Sequence, residues 1–316
     1  MIKKGLCLII TDKCSASCDI CCFGCSPKNS NVMTEELMIK AIDEAADIGS
    51  FQQIGFSGGE PFLYFDLLKK GITYAKEKGF ATSVATNGSW GSWDDDTIYK
   101  RFSSLPLDQV SLSYDAYHAE YVSEEAFSNA LSVCKKFKIA YSVGIGETKE
   151  KKANDFFRSM NDLKYLMDYY IYPYMRAGRA LELSEDIFFE FADTCSLSCR
   201  EDGLVSVRYD GTVFPCCVQS VFNTSLGIGN INSSTLGEIL SAERTKEIFR
   251  TLEIPELFTK LGKKAAELFD YKIPEKCVDK CEICSRIFAD KSAVHKLLPY
   301  MIEINGKNAV DKLLER

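Results

Sequence analysis

The chain has 316 residues, of which 46% are hydrophobic, and its formal net charge is −7. That length allows one large domain with a smaller one attached. An acidic chain without a basic face argues against nucleic-acid binding, and no apolar run approaches the ~20 residues that span a bilayer. The apolar stretch from Leu6 to Ile10 is too short for a signal peptide and lacks a cleavage site, so we expect a cytoplasmic protein.

Strand and helix patterns alternate through the first part of the chain. Strand signals occur at 5–11, 51–57, 80–86, 108–114, 139–145 and 169–174. Helical patterns occur at 34–46, 64–78, 94–104, 119–137 and 150–166. This alternation predicts an α/β fold with a parallel sheet and right-handed crossovers. Six repeats are too few for a closed eight-stranded barrel, so we expect a partial (β/α)6 TIM-like barrel with its site at the carboxyl ends of the strands.

The pattern changes after about residue 190. Short strands at 205–207 and 212–214 flank Tyr209-Asp210-Gly211, which predicts a β-hairpin, and the chain is mostly helical from Thr235 onward. We therefore expect three parts: the partial barrel at 1–190, a small domain of a β-hairpin plus helix at 191–290, and a C-terminal helix at 291–316.

Fourteen cysteines are unusual for a chain without an export signal. Disulfide frameworks belong mainly to small secreted domains, so metal sites and reactive or buried thiols remain as explanations. Cys7 and Cys134 lie in an apolar strand and a helical pattern, where cysteine acts as a small hydrophobic residue. The other twelve fall into two groups, near positions 14–25 and 195–284, and such clustering is typical of metal ligands.

The first group contains Cys14, Cys18 and Cys21 in C-x3-C-x2-C spacing, directly after the first predicted strand. Three thiolates on one loop can hold three irons of a [4Fe–4S] cluster and leave the fourth iron open to a ligand. Zinc sites also use cysteine pairs, so the spacing alone leaves the metal undecided.

Polar residues follow the next three predicted strands. The second strand ends in Ser57-Gly58-Gly59-Glu60-Pro61, where two glycines let the backbone approach a ligand and Glu60 can pair with an ammonium group. The third strand ends in Thr86-Asn87-Gly88 and the fourth in Ser111-Leu112-Ser113-Tyr114-Asp115. All of these groups are expected at the same rim of the sheet as the cysteines.

The cysteine triplet and Gly58-Gly59-Glu60 together resemble the radical S-adenosylmethionine (SAM) superfamily over roughly residues 5–180. The resemblance implies that the triplet holds a [4Fe–4S] cluster whose open iron binds SAM. It implies SAM contacts by Ile20, Gly58, Gly59, Glu60, Asn87, Ser113, Asp115 and Arg179. For Ser113, Asp115 and Arg179, helix capping or surface pairing is a nearly equal alternative. Cys22 and Cys25 fall outside the family spacing and are interpreted as non-ligands.

The second group offers four thiolates for a closed site, from Cys199, Cys216, Cys281 and Cys284. A structural zinc ion would use the same residues, so their spacing does not identify the metal. The arrangement resembles the twitch domain, a shortened form of the SPASM domain, and this resemblance implies one auxiliary [4Fe–4S] cluster. A full SPASM domain has seven cysteines and two clusters. Either Cys277 or Cys195 is an alternative ligand.

Cys217 directly follows Cys216 in a predicted extended segment, where neighbouring side chains point in opposite directions. If Cys216 faces the auxiliary cluster, Cys217 can face the barrel mouth. A thiol S–H bond is weaker than an alkyl C–H bond, so Cys217 could donate a hydrogen atom. An inert buried cysteine, or a ligand that exchanges with Cys216, is an equally good interpretation on these grounds.

Three segments, at 11–19, 113–118 and 210–222, resemble the epipeptide epimerases. Those radical SAM enzymes convert L-residues, typically valine or isoleucine, to D-residues in a ribosomally made precursor peptide. The resemblance implies that Cys217 is the catalytic hydrogen-atom donor. One position departs from the family, because Leu204 stands where the family has an aspartate shortly after the first auxiliary ligand.

The resemblance also implies two partners, a precursor peptide and an electron donor such as flavodoxin or ferredoxin. Because the chain begins at the first barrel strand, we expect no N-terminal leader-binding domain and a peptide that docks at the barrel mouth. Two alternatives stay open. One is a radical SAM enzyme that forms a sulfur-to-Cα thioether of the sactionine type or performs another peptide maturation. The other is a non-catalytic iron–sulfur or zinc protein.

Overall fold

The computed structural model describes residues 5–160, 168–194, 197–199 and 204–314. The strands are β1 (Gly5–Thr11), β2 (Gln53–Gly58), β3 (Ala81–Thr86), β4 (Gln109–Ser113), β5 (Ala140–Glu147), β6 (Tyr169–Pro173), β7 (Ala192–Asp193), β8 (Leu204–Arg208), β9 (Thr212–Phe214), β10 (Gly229–Asn230) and β11 (Lys276–Cys277). The α-helices are α1 (Glu35–Ile48), α2 (Phe65–Glu77), α3 (Asp95–Phe102), α4 (Glu124–Lys136), α5 (Ala153–Ser159), α6 (Leu236–Ser241), α7 (Glu243–Glu253), α8 (Pro255–Phe269), α9 (Lys280–Ile287) and α10 (Ala293–Leu314).

Six strands, β1 to β6, pair in parallel and in chain order, and helices α1 to α5 lie in the connections between them. The predicted α/β class and partial barrel are therefore confirmed. Helix α4 begins at Glu124 rather than 119, because Ser123 caps it and the preceding turn folds around the carboxylate of Asp115. The predicted helical pattern at 150–166 gives α5, and its residues 161–166 lie outside the described part of the chain.

The predicted hairpin is present as β8 and β9, with Gly211 in the left-handed region at φ +83°. Strand β8 also pairs in parallel with β1, so that Cys7 lies opposite Ser206. The hairpin consequently extends the barrel sheet, which has nine strands in the order β10-β9-β8-β1-β2-β3-β4-β5-β6. This pairing joins segments about 200 positions apart, and nothing in the local pattern predicts it.

The two faces of the barrel strands carry different side chains. On the helix side, large apolar residues pack tightly, and a Cβ at Gly71 of α2 would lie 2.6 Å from Met38 Sδ and 2.7 Å from Phe56 Cε1. On the inner side, a Cβ at Gly55 would lie 3.3 Å from Ser83 Oγ and 3.9 Å from Cys7 Sγ. The inner side also carries large groups, since a Cβ at Gly144 of β5 would lie 3.0 Å from Tyr170 Oη and 3.1 Å from Tyr172 Cε1.

Most of the C-terminal part consists of helices, and α7, α8 and α10 pack together. Helix α10 occupies most of the predicted C-terminal helix. In the described ranges no helix is both long enough and apolar enough to cross a bilayer.

Candidate active site and auxiliary cluster site

A cavity opens at the carboxyl ends of the barrel strands, and we call it the first cavity. The space between its walls, with the open mouth included, is about 700 Å³. Its lining includes all three triplet thiols and five of the residues expected to contact SAM, namely Cys14, Cys18, Cys21, Ile20, Gly58, Gly59, Asn87 and Ser113. The strand order thus brings together the cysteines and most of the predicted SAM-binding residues.

The loop that carries the triplet is held by several hydrogen bonds. Cys21 N donates to Cys18 O at 3.0 Å, and Cys14 N donates to Ser26 O at 3.1 Å, so the loop closes on itself. Arg179, which follows β6, donates from Nη1 to Cys18 O and from Nη2 to Cys25 O, both at 2.6 Å. Arg179 does not line the first cavity. In this structure it braces the loop, and its expected contact with SAM stays a prediction.

The three thiols of the triplet have different pKa values. Burial is the main cause that raises the pKa of Cys14 to about 12, and burial with the charges of Cys21 and Cys14 raises the pKa of Cys18 to about 12. The pKa of Cys21 is instead lowered to about 6, chiefly because the thiol of Cys25 hydrogen-bonds to its sulfur. Buried thiols give up their protons to a bound cation, and three thiolates on one cavity wall are the donor set of an iron–sulfur cluster. The residues therefore fit the predicted [4Fe–4S] cluster.

Gly58 and Gly59 are required by a close approach of two backbone segments. A Cβ at Gly58, where φ is +147°, would lie 2.2 Å from Thr11 O, and a Cβ at Gly59 would lie 2.1 Å from Lys13 O. Gly59 N and Glu60 N donate to these two carbonyls at 2.8 Å. The glycines thus let β2 dock against the start of the cluster loop, a reason beyond the ligand approach inferred from the sequence.

Glu60 is fully buried and does not line the first cavity. Its carboxylate accepts hydrogen bonds from Thr86 Oγ1 (2.8 and 2.9 Å), Asn87 N (2.8 Å) and Phe62 N (3.1 Å). Burial raises its pKa to about 7, although these hydrogen bonds lower it in part. Glu60 ties the ends of β2 and β3 together, and its pairing with the SAM ammonium group stays a prediction.

Asn87 reaches from the end of β3 to the cluster loop. Its Nδ2 donates to Ser15 Oγ at 3.1 Å and lies 3.7 Å from Cys14 Sγ. It is therefore placed beside both the cluster ligands and the cavity, where an amide can bind a polar cofactor. Ser113, at the end of β4, also lines the first cavity.

Asp115 is buried at the centre of a polar network. Its carboxylate accepts hydrogen bonds from Tyr117 N, His118 N, Gly146 N and Tyr174 Oη. Burial opposes ionisation, but His118, whose Nδ1 is 3.0 Å away, and these donors together hold the pKa of Asp115 below its usual value. Asp115 does not line the cavity, whereas His118 and Tyr174 do. The sequence pattern gives no sign that Tyr174 belongs to the site.

Ile20 lies with Ala16 and four aromatic residues in a small apolar cluster around the triplet. Its neighbours there include Tyr117, Tyr172 and Tyr174. An apolar wall of this kind suits an adenine ring, as the resemblance implies for Ile20.

A second cavity contains all four predicted auxiliary ligands: Cys199, Cys216, Cys281 and Cys284. Its other walls are mainly apolar, from residues such as Val221, Leu226, Phe249, Leu252 and Phe258. Four thiols in an apolar enclosure can satisfy all four irons of a cluster without an exchangeable ligand. The residues therefore fit a closed auxiliary cluster.

The four thiols come from three separate segments, and each segment is fixed locally. Cys199 N donates to Leu252 O at 2.7 Å, and Ser206 Oγ donates to Cys216 O at 2.6 Å. Asp279 caps α9 by accepting from Cys281 N at 2.8 Å. One helical turn separates Cys281 from Cys284, so both thiols lie on the same face of α9.

The surroundings of the auxiliary thiols disfavour their charged forms, although the charge of Lys280 lowers the pKa of Cys281 in part. Burial raises the pKa of Cys281 and of Cys284 well above the usual value, and the charges of Asp279 and of the other thiols raise both further. A bound metal centre would remove this cost, which couples cluster binding to proton release.

The remaining cysteines lie in different places. Cys277 does not line the second cavity, and its Sγ contacts Asp279 O at 3.3 Å. Cys195 lies outside the described residues. The thiol of Cys22 contacts Ile20 O at 3.9 Å, away from the first cavity, whereas Cys25 lines that cavity. No disulfide joins any two of the cysteines that the structure describes.

Cys217 lines neither cavity. It lies close enough to Cys7 for its charge to raise the pKa of that thiol, after the larger effect of burial. Cys7 belongs to β1, and its sulfur faces the inner side of the barrel beside Gly55. The two adjacent thiols are thus placed differently, since Cys216 lines the second cavity and Cys217 does not.

A parallel partial barrel with a C-x3-C-x2-C loop at its carboxyl edge, next to a closed four-thiol site, defines a class of iron–sulfur enzymes. The family profile described as the radical SAM superfamily matches residues 8–148. A second profile, SPASM, described as an iron–sulfur cluster-binding domain, matches residues 195–285. The chain thus contains a radical SAM domain and an iron–sulfur cluster-binding domain of the SPASM type.

Among known proteins, the chain is similar over nearly its whole length to YydG of Bacillus subtilis strain 168, which is named as a peptide biosynthesis protein. The two are 26% identical over 327 aligned positions, covering 98% of this chain and 99% of YydG. A cofactor-modifying protein of the tungsten-containing aldehyde ferredoxin oxidoreductase of Pyrococcus furiosus is 29% identical, over 35% of this chain and 31% of that protein.

Solved structures share the fold at low sequence identity. The native structure of anSMEcpe with bound SAM superposes with a TM-score of 0.60 at 14% identity, covering 95% of this chain and 98% of that one. SuiB of Streptococcus suis, also bound to SAM, gives a TM-score of 0.59 at 13% identity, covering 89% of this chain and 77% of SuiB. The predicted cofactors, SAM and iron–sulfur clusters in both domains, agree with these matches.

Proposed function

We propose that the protein is a radical SAM peptide epimerase, which inverts the Cα of L-residues such as valine or isoleucine in a ribosomally made peptide. The observation that carries the proposal is the separation of two adjacent thiols. Cys216 lines the second cavity, whereas Cys217 lies outside that cavity, within electrostatic range of the Cys7 thiol of β1. The similarity to YydG, a peptide biosynthesis protein, extends over both chains and supports a peptide substrate.

When bound and reduced, the first cluster with SAM supplies a 5′-deoxyadenosyl radical that removes the Cα hydrogen atom of a peptide residue. Cys217 then donates a hydrogen atom to the opposite face of Cα, so its S–H bond breaks and a C–H bond forms. The sulfur radical returns to a thiol by taking up one electron and one proton. The electron comes from a one-electron donor such as flavodoxin or ferredoxin. No general base is required, and the chain has only two histidines.

The test compares Cys217→Ala with Cys134→Ala, a buried cysteine of α4 that takes no part in the proposal. Each protein is reconstituted anaerobically and incubated with SAM, a reductant and the peptide encoded beside its gene. Chiral amino-acid analysis measures D-residues, and chromatography measures 5′-deoxyadenosine. We expect Cys217→Ala to release 5′-deoxyadenosine without forming D-residues, while Cys134→Ala forms both.

Undiminished D-residue formation by Cys217→Ala would exclude Cys217 as the donor. A peptide product that is lighter by two hydrogen atoms would contradict epimerisation and indicate thioether formation or dehydrogenation. Failure of every variant to form 5′-deoxyadenosine, with both clusters intact and the encoded peptide present, would contradict the enzymatic proposal.

A further inference from the structure

The two edges of the nine-stranded sheet differ in how they are protected. At one edge, β10 consists of the two residues Gly229–Asn230. At the other edge, β6 has five residues, and among the described residues it pairs with β5 alone. Edge strands are usually shielded by a short length, charged side chains, proline or a bulge. Strand β6 has no charged residue, its register with β5 is regular, and its one proline, Pro173, stands at its carboxyl end.

The main chain of β6 has hydrogen-bonding groups that point toward the free edge. The bond from Tyr174 N to Glu147 O, at 2.9 Å, fixes which residues bond to β5. In a parallel ladder alternate residues bond to the same neighbour, so the even-numbered residues of β6 bond to β5. The N–H and C=O groups of Tyr169 and Ile171 therefore point the other way. These two residues are 43% and 44% exposed.

Three tyrosines form a row on the inner face of β6, and this tyrosine row leads into the first cavity. The ring centroids of Tyr170 and Tyr172 are 5.9 Å apart, and those of Tyr172 and Tyr174 are 5.4 Å apart. Tyr172 and Tyr174 line the first cavity, whereas Tyr170 is 53% exposed. The free edge of β6 and the tyrosine row are thus continuous with the cavity that contains the cysteine triplet.

We propose that the free edge of β6 binds an extended segment of the substrate peptide by strand addition. The main chain of the segment pairs with the N–H and C=O groups of Tyr169 and Ile171, and every second side chain lies beside the tyrosine row. Aromatic and β-branched side chains pair favourably across strands, which suits a peptide that contains valine or isoleucine. This inference rests on the peptide substrate of the proposed function and does not depend on epimerisation.

The short length of the free edge favours a peptide over a second copy of this chain. Only two residues of β6 offer both an N–H and a C=O group there, whereas a stable interface between two proteins buries more than about 1,000 Å². A peptide gains further contacts because it continues along the tyrosine row into the first cavity. Main-chain bonds to the edge supply affinity, and the side-chain contacts supply selectivity.

The test removes one donor from the free edge. Proline is tolerated in an edge strand where its nitrogen faces outward, so Ile171→Pro removes an N–H group at a permitted position. Ile171→Ala loses the same side chain but keeps the N–H group, and it is the matched control. Both variants and wild type are prepared as full chains with both clusters reconstituted, and iron content and circular dichroism establish that each is folded.

The binding measurement excludes turnover. The peptide encoded beside the gene is labelled with a fluorophore, and its Kd is measured by fluorescence anisotropy with SAM present and reductant absent. Size-exclusion chromatography measures the oligomeric state. We expect Ile171→Pro to weaken binding by roughly 10-fold, because the peptide loses a main-chain hydrogen bond and meets the proline ring instead. Ile171→Ala should bind nearly as well as wild type.

Equal Kd values for Ile171→Pro and Ile171→Ala would overturn the proposal while leaving the peptide substrate intact. A wild-type dimer that Ile171→Pro converts to a monomer would also overturn it and assign the edge to a second copy of the chain. Absence of binding to wild type would contradict the peptide substrate itself, and the inference would fail with it.

A second measurement needs no variant of the protein. Methylation of single main-chain nitrogens in the peptide removes one donor at a time. Strand addition predicts that binding to wild type weakens at every second position of a short stretch, because alternate N–H groups of an added strand face β6. A scan in which the weakened positions do not alternate would overturn the proposal.

Discussion

The two thiol sites are assembled in opposite ways. The first draws Cys14, Cys18 and Cys21 from one short loop and leaves beside them an open cavity whose walls include polar residues. The second draws four thiols from three distant segments into an enclosure with apolar walls. An open cluster needs one well-formed loop and space for a ligand, whereas a closed cluster needs the folded chain to bring its ligands together.

Because of this difference, we expect the two sites to have different roles. The polar rim of the first cavity, with Asn87 and Ser113, can hold a cofactor at an open iron. The apolar wall of the second cavity excludes water, which suits electron storage or structural support. Removal of ligands from one site at a time should therefore have unlike consequences.

The largest effect is expected from loss of a ligand to the open cluster. Cys18→Ala should remove about half of the bound iron and abolish 5′-deoxyadenosine formation, since SAM then has no cluster to bind. Cys281→Ala should also lose about half of the iron but keep a SAM-dependent change in the spectrum. Iron analysis and spectroscopy with and without SAM measure both. A Cys281→Ala protein that no longer responds to SAM would show that the sites are not separable.

A smaller effect is expected at the brace of the first loop. Arg179→Met removes two hydrogen bonds, to Cys18 O and Cys25 O, and should weaken cluster retention by roughly 10- to 100-fold, as for other outer-shell partners. Competition with an iron chelator measures this retention. Arg158→Met, on the exposed surface of α5, is the control and should behave as wild type. If Arg179→Met and Arg158→Met retain iron equally well, Arg179 does not help the loop to hold the cluster.

Glu60 predicts a pH dependence of the unfolding free energy. Its folded-state pKa is raised from 4.5 to about 7, so its contribution to stability is present below pH 4.5 and is lost as the pH rises through 7. Glu60→Gln should gain roughly 2–3 kcal/mol in unfolding free energy relative to wild type between pH 5 and pH 8. Anaerobic denaturant titrations measure this difference.

Glu77→Gln, at the exposed end of α2, is the control variant and is measured over the same range. If the difference between Glu60→Gln and wild type does not change with pH, the hydrogen bonds from Thr86, Asn87 and Phe62 stabilise the ionised carboxylate fully in the folded protein.

The smallest effect, on the unfolding free energy, is expected at the contact between the loop of the first cluster and the segment that contains Phe222. Phe23 of the cluster loop stacks on Phe222, with ring centroids 4.8 Å apart and planes 7° apart, and Asn223 Nδ2 donates to Cys22 O at 2.6 Å. Phe222→Leu should cost about 1 kcal/mol in unfolding free energy. Phe191→Leu, on a ring that is 65% exposed, should cost less than half of that. If Phe222→Leu lowers the unfolding free energy no more than Phe191→Leu does, the stacked pair of rings does not stabilise the contact.

The first site could be predicted largely from the sequence because its determinants are local. The spacing of Cys14, Cys18 and Cys21 and the glycines of β2 fall next to strand ends that the periodicity predicts. The prediction that the four auxiliary thiols form one cluster site depended on the family resemblance, because Cys199 and Cys284 are far apart in the chain.

Other features could not be predicted because they depend on long-range geometry. The position of Cys25 depends on the turn at Gly24 and on Arg179, which lies 154 positions away. Strand β8 joins the barrel sheet through a pairing with β1 that no local pattern specifies. The orientation of Glu60 away from the cavity follows from the donors at Thr86 and Asn87, which the motif alone does not reveal.

The most direct test of the proposed function is the mass of the peptide product formed in deuterated water. The reconstituted protein is incubated with SAM, a reductant and the encoded peptide, and the product is analysed by mass spectrometry and chiral hydrolysis. A gain of about one dalton at each D-residue, with release of 5′-deoxyadenosine, is predicted because the thiol of Cys217 exchanges its hydrogen with solvent. A product that forms with 5′-deoxyadenosine but carries no deuterium and no D-residue would contradict the proposal.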